Sequence, residues 1–427
     1  METNREMVNS GIPWIGDVPK SWKIVRNKDV FNNSKTLVGE NWINTQLLSL
    51  TTKGIKPVAI GSTSGKVPDS YETYQVVEKD NLVMCLFDLD CSAVFSGLSP
   101  ICGMISPAYK ALTIKKGYSP DFYAKWFDYI FDGRKFMFLS KNIRYSLTYD
   151  EFASLQVVAP SLSEQQRIAE FLDRKCGEID EMIALQEKVI EELKAYKQSV
   201  ITEAVTKGLK PDVPMKDSGI EWIGEIPEHW RIGKIKMIAK TNSGSTPKTI
   251  SQTEESSIVW IRTTDINDNL VTDSSLHLTQ EELNSASCPI LNKDVCVVAM
   301  YGGGGTIGKC GILGVEATIN QALCSIEVKS FHLGAFMFWT LRATRYNWMK
   351  FAVGTRKDPN ISQEIVRNYI VPIPPIEEQQ KISDYLNTKC TEIDNLISIK
   401  QSKIDSLKEY KKSIIYEYVT GKREVNE

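Results

Sequence analysis

The sequence predicts an α+β protein with two pseudo-symmetric mixed α/β domains separated by two long antiparallel coiled-coil helices. The segment that begins PSLSEQQRIAEFLDRK at Pro160 recurs as PPIEEQQKISDYLNTK at Pro374, a constant offset of 214 with no gap. A shorter segment, SGIPWIGDVPKSWKI from Ser10, recurs as SGIEWIGEIPEHWRI from Ser218. Between these repeated segments lie two inserts of similar length that resemble each other only weakly. Two alike frames that hold two unlike inserts favour a bipartite binding protein over a single catalytic pocket.

The overall composition is that of a soluble protein with more than one domain. At 427 residues, and with about 100 to 200 residues per domain, two or three domains are expected, and the repeat favours two. Hydrophobic residues make up 42% and charged residues 24%, which excludes global disorder. No run approaches about 18 apolar residues, and the start METNREMVNS lacks an apolar signal core, so a cytoplasmic protein is expected.

The cysteines and histidines do not predict a metal site. The nine cysteines include no CxxC pair, and His229, His277 and His332 lie far apart in the sequence. Cys176 and Cys390 occupy equivalent positions of the repeat, where small buried residues are expected rather than a disulfide or a thiol site. No cofactor is therefore expected in this chain. The net charge of -2 argues against a uniformly basic surface, so any DNA-binding charge must be local.

Each long repeat predicts an amphipathic helix of about 40 residues. Apolar residues recur at steps of 3, 4 and 7, which is typical of a coiled-coil seam. The predicted seam consists of Ile168, Leu172, Ile179, Ile183, Ile190 and Leu193 in the first copy and Ile382, Leu386, Ile393, Ile397, Ile404 and Leu407 in the second. A pseudo-twofold axis would let each copy bury the same seam, so we expect an antiparallel pair. A helical hairpin that serves only as core, or pairing between two chains, would explain the pattern as well.

Both inserts predict mixed α+β folds. Strand-like runs are TQLLSLTT from Thr45, NLVMCLF from Asn81 and ALTI from Ala111 in the first insert, and SIVWIRT from Ser257, VCVVAM from Val295 and ALCSIEV from Ala322 in the second. Helical patterns follow them, SPDFYAKWFDYIF from Ser119 and HLGAFMFWTLRATRYNWM from His332.

A basic and aromatic cluster lies late in each insert, GRKFMFLSKNIRYSL from Gly133 and LRATRYNWMKFAVGTRK from Leu341. Such interleaving is typical of phosphate contact combined with contact to bases, although a solvated helix face with core aromatics would give the same pattern. The candidate DNA contacts are Lys53, Lys141, Arg144 and Tyr145 in the first insert and Arg262, Tyr301, Arg356 and Lys357 in the second.

The loop GGGGTIGKC from Gly302 matches a phosphate-cradling pattern only in part. Gly303, Gly308 and Lys309 satisfy G-x-x-x-x-G-K, but Cys310 stands where a Ser or Thr hydroxyl should bind magnesium. We expect a glycine-rich bend beside a strand, or a loop that lets the backbone approach DNA closely.

The openings WIGDVPKSW and WIGEIPEHW, the segments that follow each insert, and their order along the chain resemble the specificity subunit of a type I restriction-modification system. In that family the inserts are target recognition domains that each read half of a split DNA sequence, and the long helices are spacers and docking surfaces. The resemblance covers nearly the whole chain. It implies target recognition domains at residues 1–160 and 209–373, a central spacer helix at 161–208 and a C-terminal spacer helix at 374–427.

The two inserts resemble different types of recognition domain, which implies different half-sites. VWIRTTDIND from Val259 and GGTIGK from Gly304 resemble one type, and LLSLTTKGI from Leu47 and GMISPAYKAL from Gly103 resemble another. The resemblance also implies a noncatalytic chain that binds double-stranded DNA, two methyltransferase subunits and further restriction and translocation subunits. S-adenosylmethionine, ATP and magnesium would bind to those partners. The tetrapeptide Asn-Pro-Pro-Tyr, which an adenine N6-methyltransferase would carry, is absent from the sequence.

Three other classes of protein fit parts of the sequence. A self-sufficient bivalent DNA-binding regulator or architectural protein would bind its sequence tightly without partners. A coiled-coil scaffold would bind protein alone, independently of salt. An enzyme built on the Gly303 loop would bind ATP.

Overall fold

A computed structural model describes residues 5–61, 68–132, 135, 145–286, 288–302, 305–354 and 359–425. The chain forms two compact units: unit 1 comprises Met1–Glu187 and Ser402–Glu427, and unit 2 comprises Lys188–Gln401. Each unit therefore contains one insert and part of each long helix. Within the described ranges, no helix is long and apolar enough to cross a membrane.

Unit 1 is built from short strands, three short helices and parts of both long helices. The strands are β1 Met7–Asn9, β2 Asp17–Pro19, β3 Lys23–Arg26, β4 Phe31–Asn33, β5 Leu48–Thr51, β6 Gly54–Pro57, β7 Gln75–Val77, β8 Leu82–Met84, β9 Ser96–Leu98, β10 Gly103–Ile105, β11 Lys110–Ile114 and β12 Gln156–Ala159. The helices are α1 Asn27–Val30, α2 Pro120–Asp132, α3 Tyr149–Ser154 and α4 Leu162–Lys207, with a 3₁₀ turn at Gly39–Asn44. The main sheet is antiparallel in the order β4-β11-β8-β9.

Helix α2 supplies much of the core of unit 1. Its apolar face includes Phe122, Trp126 and Phe127, all at most 1% exposed, as the periodic pattern from Ser119 predicts. The Tyr123 ring packs edge-on against Phe31 of β4, and its hydroxyl donates to the Val158 carbonyl at 3.1 Å. The helix is thus fixed to both the sheet and β12.

Unit 2 has more strands and a larger sheet. The strands are β13 Met215–Asp217, β14 Glu225–Pro227, β15 Arg231–Lys234, β16 Ala239–Ser243, β17 Ile258–Ile261, β18 Asn269–Val271, β19 His277–Leu278, β20 Cys296–Ala299, β21 Cys310–Leu313, β22 Thr318–Ile319, β23 Leu323–Val328, β24 Val353–Gly354, β25 Pro359–Asn360 and β26 Ile370–Ile373. The helices are α5 Ile235–Ile238, α6 Gln280–Ser285, α7 Gly334–Ala343, α8 Gln363–Asn368 and α9 Ile376–Val419. A five-stranded sheet has the order β16-β23-β20-β21-β18, in which β18 and β21 are parallel, and a three-stranded sheet has the order β19-β17-β22.

The helical pattern from His332 is only partly helix. Helix α7 ends at Ala343, and a separate 3₁₀ turn follows at Asn347–Phe351. The Thr344 hydroxyl bonds back to the Leu341 carbonyl at 3.0 Å, a local bond that competes with helix continuation. Trp348 in the 3₁₀ turn is fully buried, so tertiary packing bends the chain where periodicity alone would continue the helix.

Within each unit, α4 and α9 run antiparallel, which confirms the predicted orientation. In unit 1 the Phe171 and Tyr418 rings are 4.4 Å apart, and further along α4 Asp180 pairs with Lys411 of α9 at 2.7 Å. In unit 2 Lys197 pairs with Asp394 at 2.6 Å. The two ion pairs are equivalent under the 214-residue offset, because Asp394 is the repeat mate of Asp180 and Lys411 that of Lys197.

The predicted seam residues lie on the inner faces of these helices. Buried are Ile168, Leu172, Ile179, Ile190, Ile382, Leu386, Ile393 and Ile404, and half-buried are Ile183, Leu193, Ile397 and Leu407. Cys176 and Cys390 are buried free thiols, and burial raises the pKa of both.

A buried glutamine fixes each long helix to its unit. The Oε1 atom of Gln165 accepts from the Ser119 amide just before α2, and its Nε2 atom donates to the Pro160 carbonyl, both at 2.8 Å. The repeat mate Gln379 makes the same two bonds, to the Leu333 amide just before α7 and to the Pro374 carbonyl, both at 2.8 Å. Since both glutamines are 0% exposed, these bonds form where an unpaired amide would be costly.

The repeated openings meet the ends of the long helices. A Cβ added to Gly421, just past the end of α9, would lie 2.9 Å from Trp22, and one added to Gly208, just past α4, would lie 3.1 Å from Trp230. Both glycines have positive φ angles, 72° and 76°, as expected at a helix C-terminus. Each opening therefore packs on the helix that ends in its own unit.

Candidate nucleic-acid interface

Lys53 lies in the tight turn that joins β5 to β6. Its backbone amide donates to the Thr51 hydroxyl at 3.2 Å, and Gly54 beside it has a positive φ of 86°. The Lys53 side chain is exposed. A lysine on such a turn is available for a phosphate contact.

The first basic cluster is described only in part. Lys141 and Arg144 lie outside the described residues. Tyr145 is 39% exposed, has a φ of 44°, and its carbonyl accepts from the Leu89 amide at 3.1 Å. Lys135, by contrast, lies 4.1 Å from the centre of the Tyr129 ring, and burial lowers its pKa. Lys135 thus packs on the protein.

In the second cluster the described cations contact the protein itself. The Arg342 guanidinium lies 4.7 Å from the centre of the Trp339 ring, and Lys350 pairs with Glu221 at 3.0 Å. Arg345 pairs with Asp268 at 3.0 Å and is only 16% exposed. These three cations help to hold unit 2 together. Arg356 and Lys357 lie outside the described residues.

Arg262 is held at the end of β17. Its Nη2 atom donates to the Ser275 hydroxyl at 2.7 Å, and its Nε atom lies 3.5 Å from the Asp265 carboxylate. Asp265 in turn accepts from the Ser274 hydroxyl at 3.0 Å. The guanidinium is therefore oriented in advance, with 29% of the side chain exposed.

The glycine-rich loop leads into a strand. Lys309 is followed directly by β21, so the loop lacks the helix N-terminus that cradles phosphates in nucleotide-binding sites. The ion pair of Asp268 and Arg345, which we call the clamp, holds the C-terminal part of the loop instead. Arg345 donates to the Gly305 carbonyl at 3.1 Å, and Asp268 accepts from the Cys310 amide at 3.1 Å. Gly303 and Gly304 lie outside the described residues.

Tyr301 begins this loop and lines an open cleft of about 510 Å³. It forms a β-bridge with Asn360, and the Ile361 amide donates to the Met300 carbonyl at 2.8 Å. Burial raises the pKa of the Tyr301 phenol, and the Gln321 side chain partly offsets that effect. The hydroxyl therefore stays protonated at neutral pH and can act as a hydrogen-bond donor.

The long helices also carry exposed apolar side chains at equivalent positions. The exposed pairs of repeat mates include Met182 42% and Leu396 46%, Leu185 57% and Ile399 63%, and Tyr196 51% and Tyr410 53%. Unit 1 contains Met182, Leu185 and Tyr410, and unit 2 contains their mates. We call these two sets the helix patches. Each combines residues from both antiparallel helices.

Two copies of one helical frame, each with its own mixed α/β insert, define a duplicated specificity-subunit architecture. A family model described as the type I restriction modification DNA specificity domain matches residues 19–195 and again 227–409. The chain belongs to this family of type I restriction-modification specificity subunits, as the sequence motifs indicated.

Curated relatives of this chain are specificity subunits of type I restriction enzymes. The type I restriction enzyme MjaVIII specificity subunit of Methanocaldococcus jannaschii is 27% identical over 279 residues, which cover 64% of this chain and 63% of that protein. The EcoBI specificity subunit of Escherichia coli is 26% identical over 235 residues, 52% of this chain and 49% of that protein. The chain thus spans less than two thirds of the length of these relatives.

Solved structures share the fold at low sequence identity. A chain from a type I R-M system, solved to explain complex assembly and conformational transition, has a TM-score of 0.75 at 13% identity and covers 95% of this chain and 99% of that one. The HsdS subunit from Thermoanaerobacter tengcongensis has a TM-score of 0.54 at 14% identity, covering 95% of this chain and 98% of that one.

Sequence reasoning missed two parts of the site. The Asp268–Arg345 clamp joins residues far apart in the chain, and the sequence pattern gave no signal for their pairing. The buried glutamines Gln165 and Gln379 did have a signal, since both belong to the EQQ triplet that the two repeats share.

Proposed function

We propose that this chain is the noncatalytic DNA-specificity subunit of a type I restriction-modification complex, and that it reads a bipartite DNA target. One observation carries the proposal: two equivalent helical frames hold inserts whose sheets differ in strand number and direction. Equivalent frames would present two half-sites in the same manner. Different sheets and loops would read different bases.

The energetics favours two recognition domains, which we assign to residues 1–160 and 209–373. A correct base pair contributes about 1 to 3 kcal/mol of discrimination, so one small domain selects too many sites in a genome. Two coupled domains multiply their selectivity. The spacer helices, residues 161–208 and 374–427, would set the distance between half-sites on the duplex.

We assign two methyltransferase subunits to the two helix patches. Exposed apolar side chains at matched positions of both units support two equivalent docking surfaces. Adenine N6 methylation would then belong to the docked subunits, with S-adenosylmethionine, and cleavage to further subunits with ATP and magnesium. Within this chain, Lys53, Tyr145, Arg262 and Tyr301 are the described candidates for DNA contact.

The function is tested by expressing the chain with candidate modification subunits and mapping N6-methyladenine across the host DNA. A split motif with two defined halves and a fixed spacer is expected. Methylation without such a motif would contradict the proposal. Tight, sequence-specific binding of DNA by the chain without any partner would instead support a self-sufficient regulator.

The stoichiometry is tested by native mass measurement of the purified complex. Two methyltransferase subunits per chain are expected. Leu185→Asp alone should remove one of them, Ile399→Asp alone should remove the other, and the double variant should remove both. Lys403→Glu, another charge change at an exposed position on α9, should leave both bound. Unchanged binding in the double variant would show that the helix patches are not the docking surfaces.

A further inference from the structure

The cleft beside Tyr301 has the features of a built recognition site. Besides Tyr301 it is lined by Met300, Gly302, Pro359, Asn360, Ile361, Ser362 and Gln363. It lies where the glycine-rich loop leaves β20 and where β25 leads towards α8. One wall, formed by Met300, Tyr301 and Gly302, belongs to the loop. The other wall, formed by residues 359–363, is anchored to β25 and α8.

The anchored wall uses its polar groups internally. The Gln363 amide donates to the Thr241 carbonyl at 2.7 Å and accepts from the Ser243 hydroxyl at 3.2 Å. The Ser362 hydroxyl caps α8 by accepting from the Ile365 amide at 3.3 Å. These bonds fix the shape of the wall before any ligand arrives.

The described residues of the loop wall are held as well. A Cβ on Gly302, whose φ is 137°, would lie 2.8 Å from Thr306, so this position requires glycine. Arg345 holds the Gly305 carbonyl at 3.1 Å. Both walls are thus set in advance, as specific recognition requires.

Asn360 differs from its polar neighbours in the cleft. Its side chain is exposed and, among the described residues, makes no hydrogen bond, whereas Ser362 and Gln363 are both hydrogen-bonded. A carboxamide offers a donor and an acceptor side by side. That pair matches N7 and the N6 amino group of adenine at the edge of the major groove.

We infer that Asn360 is a specificity-determining residue that reads an adenine in the second half-site, with the cleft as its base-reading site. The inference rests on the proposed function and deepens it for one residue. Asn360 donates to adenine N7 and accepts from the N6 amino group. The backbone of Asn360 is held by pairing with Val353 and by the bridge to Tyr301, so a different base at that position leaves one of these bonds unmade.

The test uses the complete modification complex and compares Asn360→Ala and Asn360→Asp with the unaltered chain. Methylation rates are measured on DNA duplexes in which each position of the split motif is changed in turn. Both variants should lose about 10-fold to 100-fold of the preference for adenine at one position of the second half-site. Preferences in the first half-site should stay the same.

Asn292→Ala is the matched control, because Asn292 is an exposed asparagine of unit 2 that lines a different cleft. It should leave every preference unchanged. Unchanged preferences in the Asn360 variants would overturn the inference, as would an equal loss of activity on all duplexes, which indicates a backbone contact or a folding defect. If the unaltered complex recognises no split motif, the proposed function fails and the inference fails with it.

Discussion

Units 1 and 2 are most alike in the repeated segments and least alike in the sheets of their inserts. The strand pairs β3–β12 and β15–β26 close the two frames in the same antiparallel register. Thr148 and Ser362, also 214 residues apart, both cap the short helix before that closing strand. The sheets between them have four antiparallel strands in one unit and five strands with a parallel edge pair in the other. The two units therefore share a frame and differ in the sheets of their inserts.

The frames themselves differ at one half-buried corner. In unit 2 Glu378 accepts from the Trp230 indole at 2.8 Å and contacts His229 at 2.9 Å. In unit 1 the equivalent Glu164 pairs with Arg5 at 2.8 Å, and the Trp22 indole has no acceptor among the described residues. The same architecture thus accommodates a half-buried carboxylate with two different sets of partners. The helix glutamines, by contrast, make the same bonds in both units.

The largest effect is expected from these glutamines. Gln165→Ala and Gln379→Ala should each cost about 2 to 4 kcal/mol, because each variant leaves a buried backbone amide and a buried carbonyl unpaired. Gln379 also donates to the Phe331 carbonyl at 3.4 Å, so its replacement should cost slightly more. Hydrogen exchange followed by mass spectrometry would report the opening free energy of each unit separately.

The neighbours Gln166 and Gln380 are exposed repeat mates and provide the matched controls. Gln166→Ala and Gln380→Ala should change stability by less than about 0.5 kcal/mol. For Gln165→Ala and Gln379→Ala, the loss of stability should be confined to the unit that carries the substitution. Equal destabilisation of both units by one glutamine variant would mean that the frames do not act separately.

The second prediction sharpens the contrast at the helix ends. Gly421→Ala should cost about 2 to 3 kcal/mol and Gly208→Ala about 1 to 2 kcal/mol, because both place a Cβ on a left-handed residue. The Gly421 Cβ would also lie 2.5 Å from the Pro19 ring, whereas the closest atom to a Gly208 Cβ lies at 3.1 Å. Denaturant unfolding measures both. Gly177→Ala, at an exposed helical site with open space around it, should instead stabilise by up to about 1 kcal/mol. Equal costs at the two helix ends would show that the Pro19 contact relaxes freely.

The third prediction concerns pH and unit 2 alone. His332 is 3% exposed and burial lowers its pKa to about 4, whereas its repeat mate in unit 1 is Tyr118. A depressed histidine pKa means that protonation favours the unfolded chain. Stability is complete above pH 6.5 and falls as the pH drops towards 4, by about 2 kcal/mol at pH 5. His332→Gln should remove this slope from unit 2. An unchanged slope in that variant would assign the acid sensitivity to other groups.

Sequence reasoning reached the frame because its signals are local and repeated. The 3, 4 and 7 spacing located two helices that span 46 and 44 residues, and the equivalence of the copies predicted their antiparallel pairing. The sequence pattern did not predict contacts between residues that lie far apart in the chain. Arg345 and Lys350 belong to the basic cluster of the second insert, but the sequence could not show that they pair with Asp268 and Glu221, which lie far away in the chain. Charge clusters show which residue types are present, whereas tertiary packing decides which of them remain free.

The smallest effect tests whether ion pairs or the apolar seam specify the helix pairing. Lys197→Ala and Lys411→Ala should each cost about 0.2 to 1 kcal/mol, since Asp394 and Asp180 are more than half exposed and water screens both pairs. Lys197 is the more buried lysine, 14% against 29% exposed, so its loss should cost more.

Double-mutant cycles with Asp394→Ala and Asp180→Ala would isolate each coupling energy, and about 1 M salt should reduce both. If both couplings stay below about 1 kcal/mol, the buried isoleucines and leucines hold the helices together, and the ion pairs favour the antiparallel register over others. A coupling above about 2 kcal/mol in one unit alone would mean that the ion pair, and not the apolar seam, dominates the helix pairing in that unit. The two frames, although built from the same repeat, would then be stabilised by different forces.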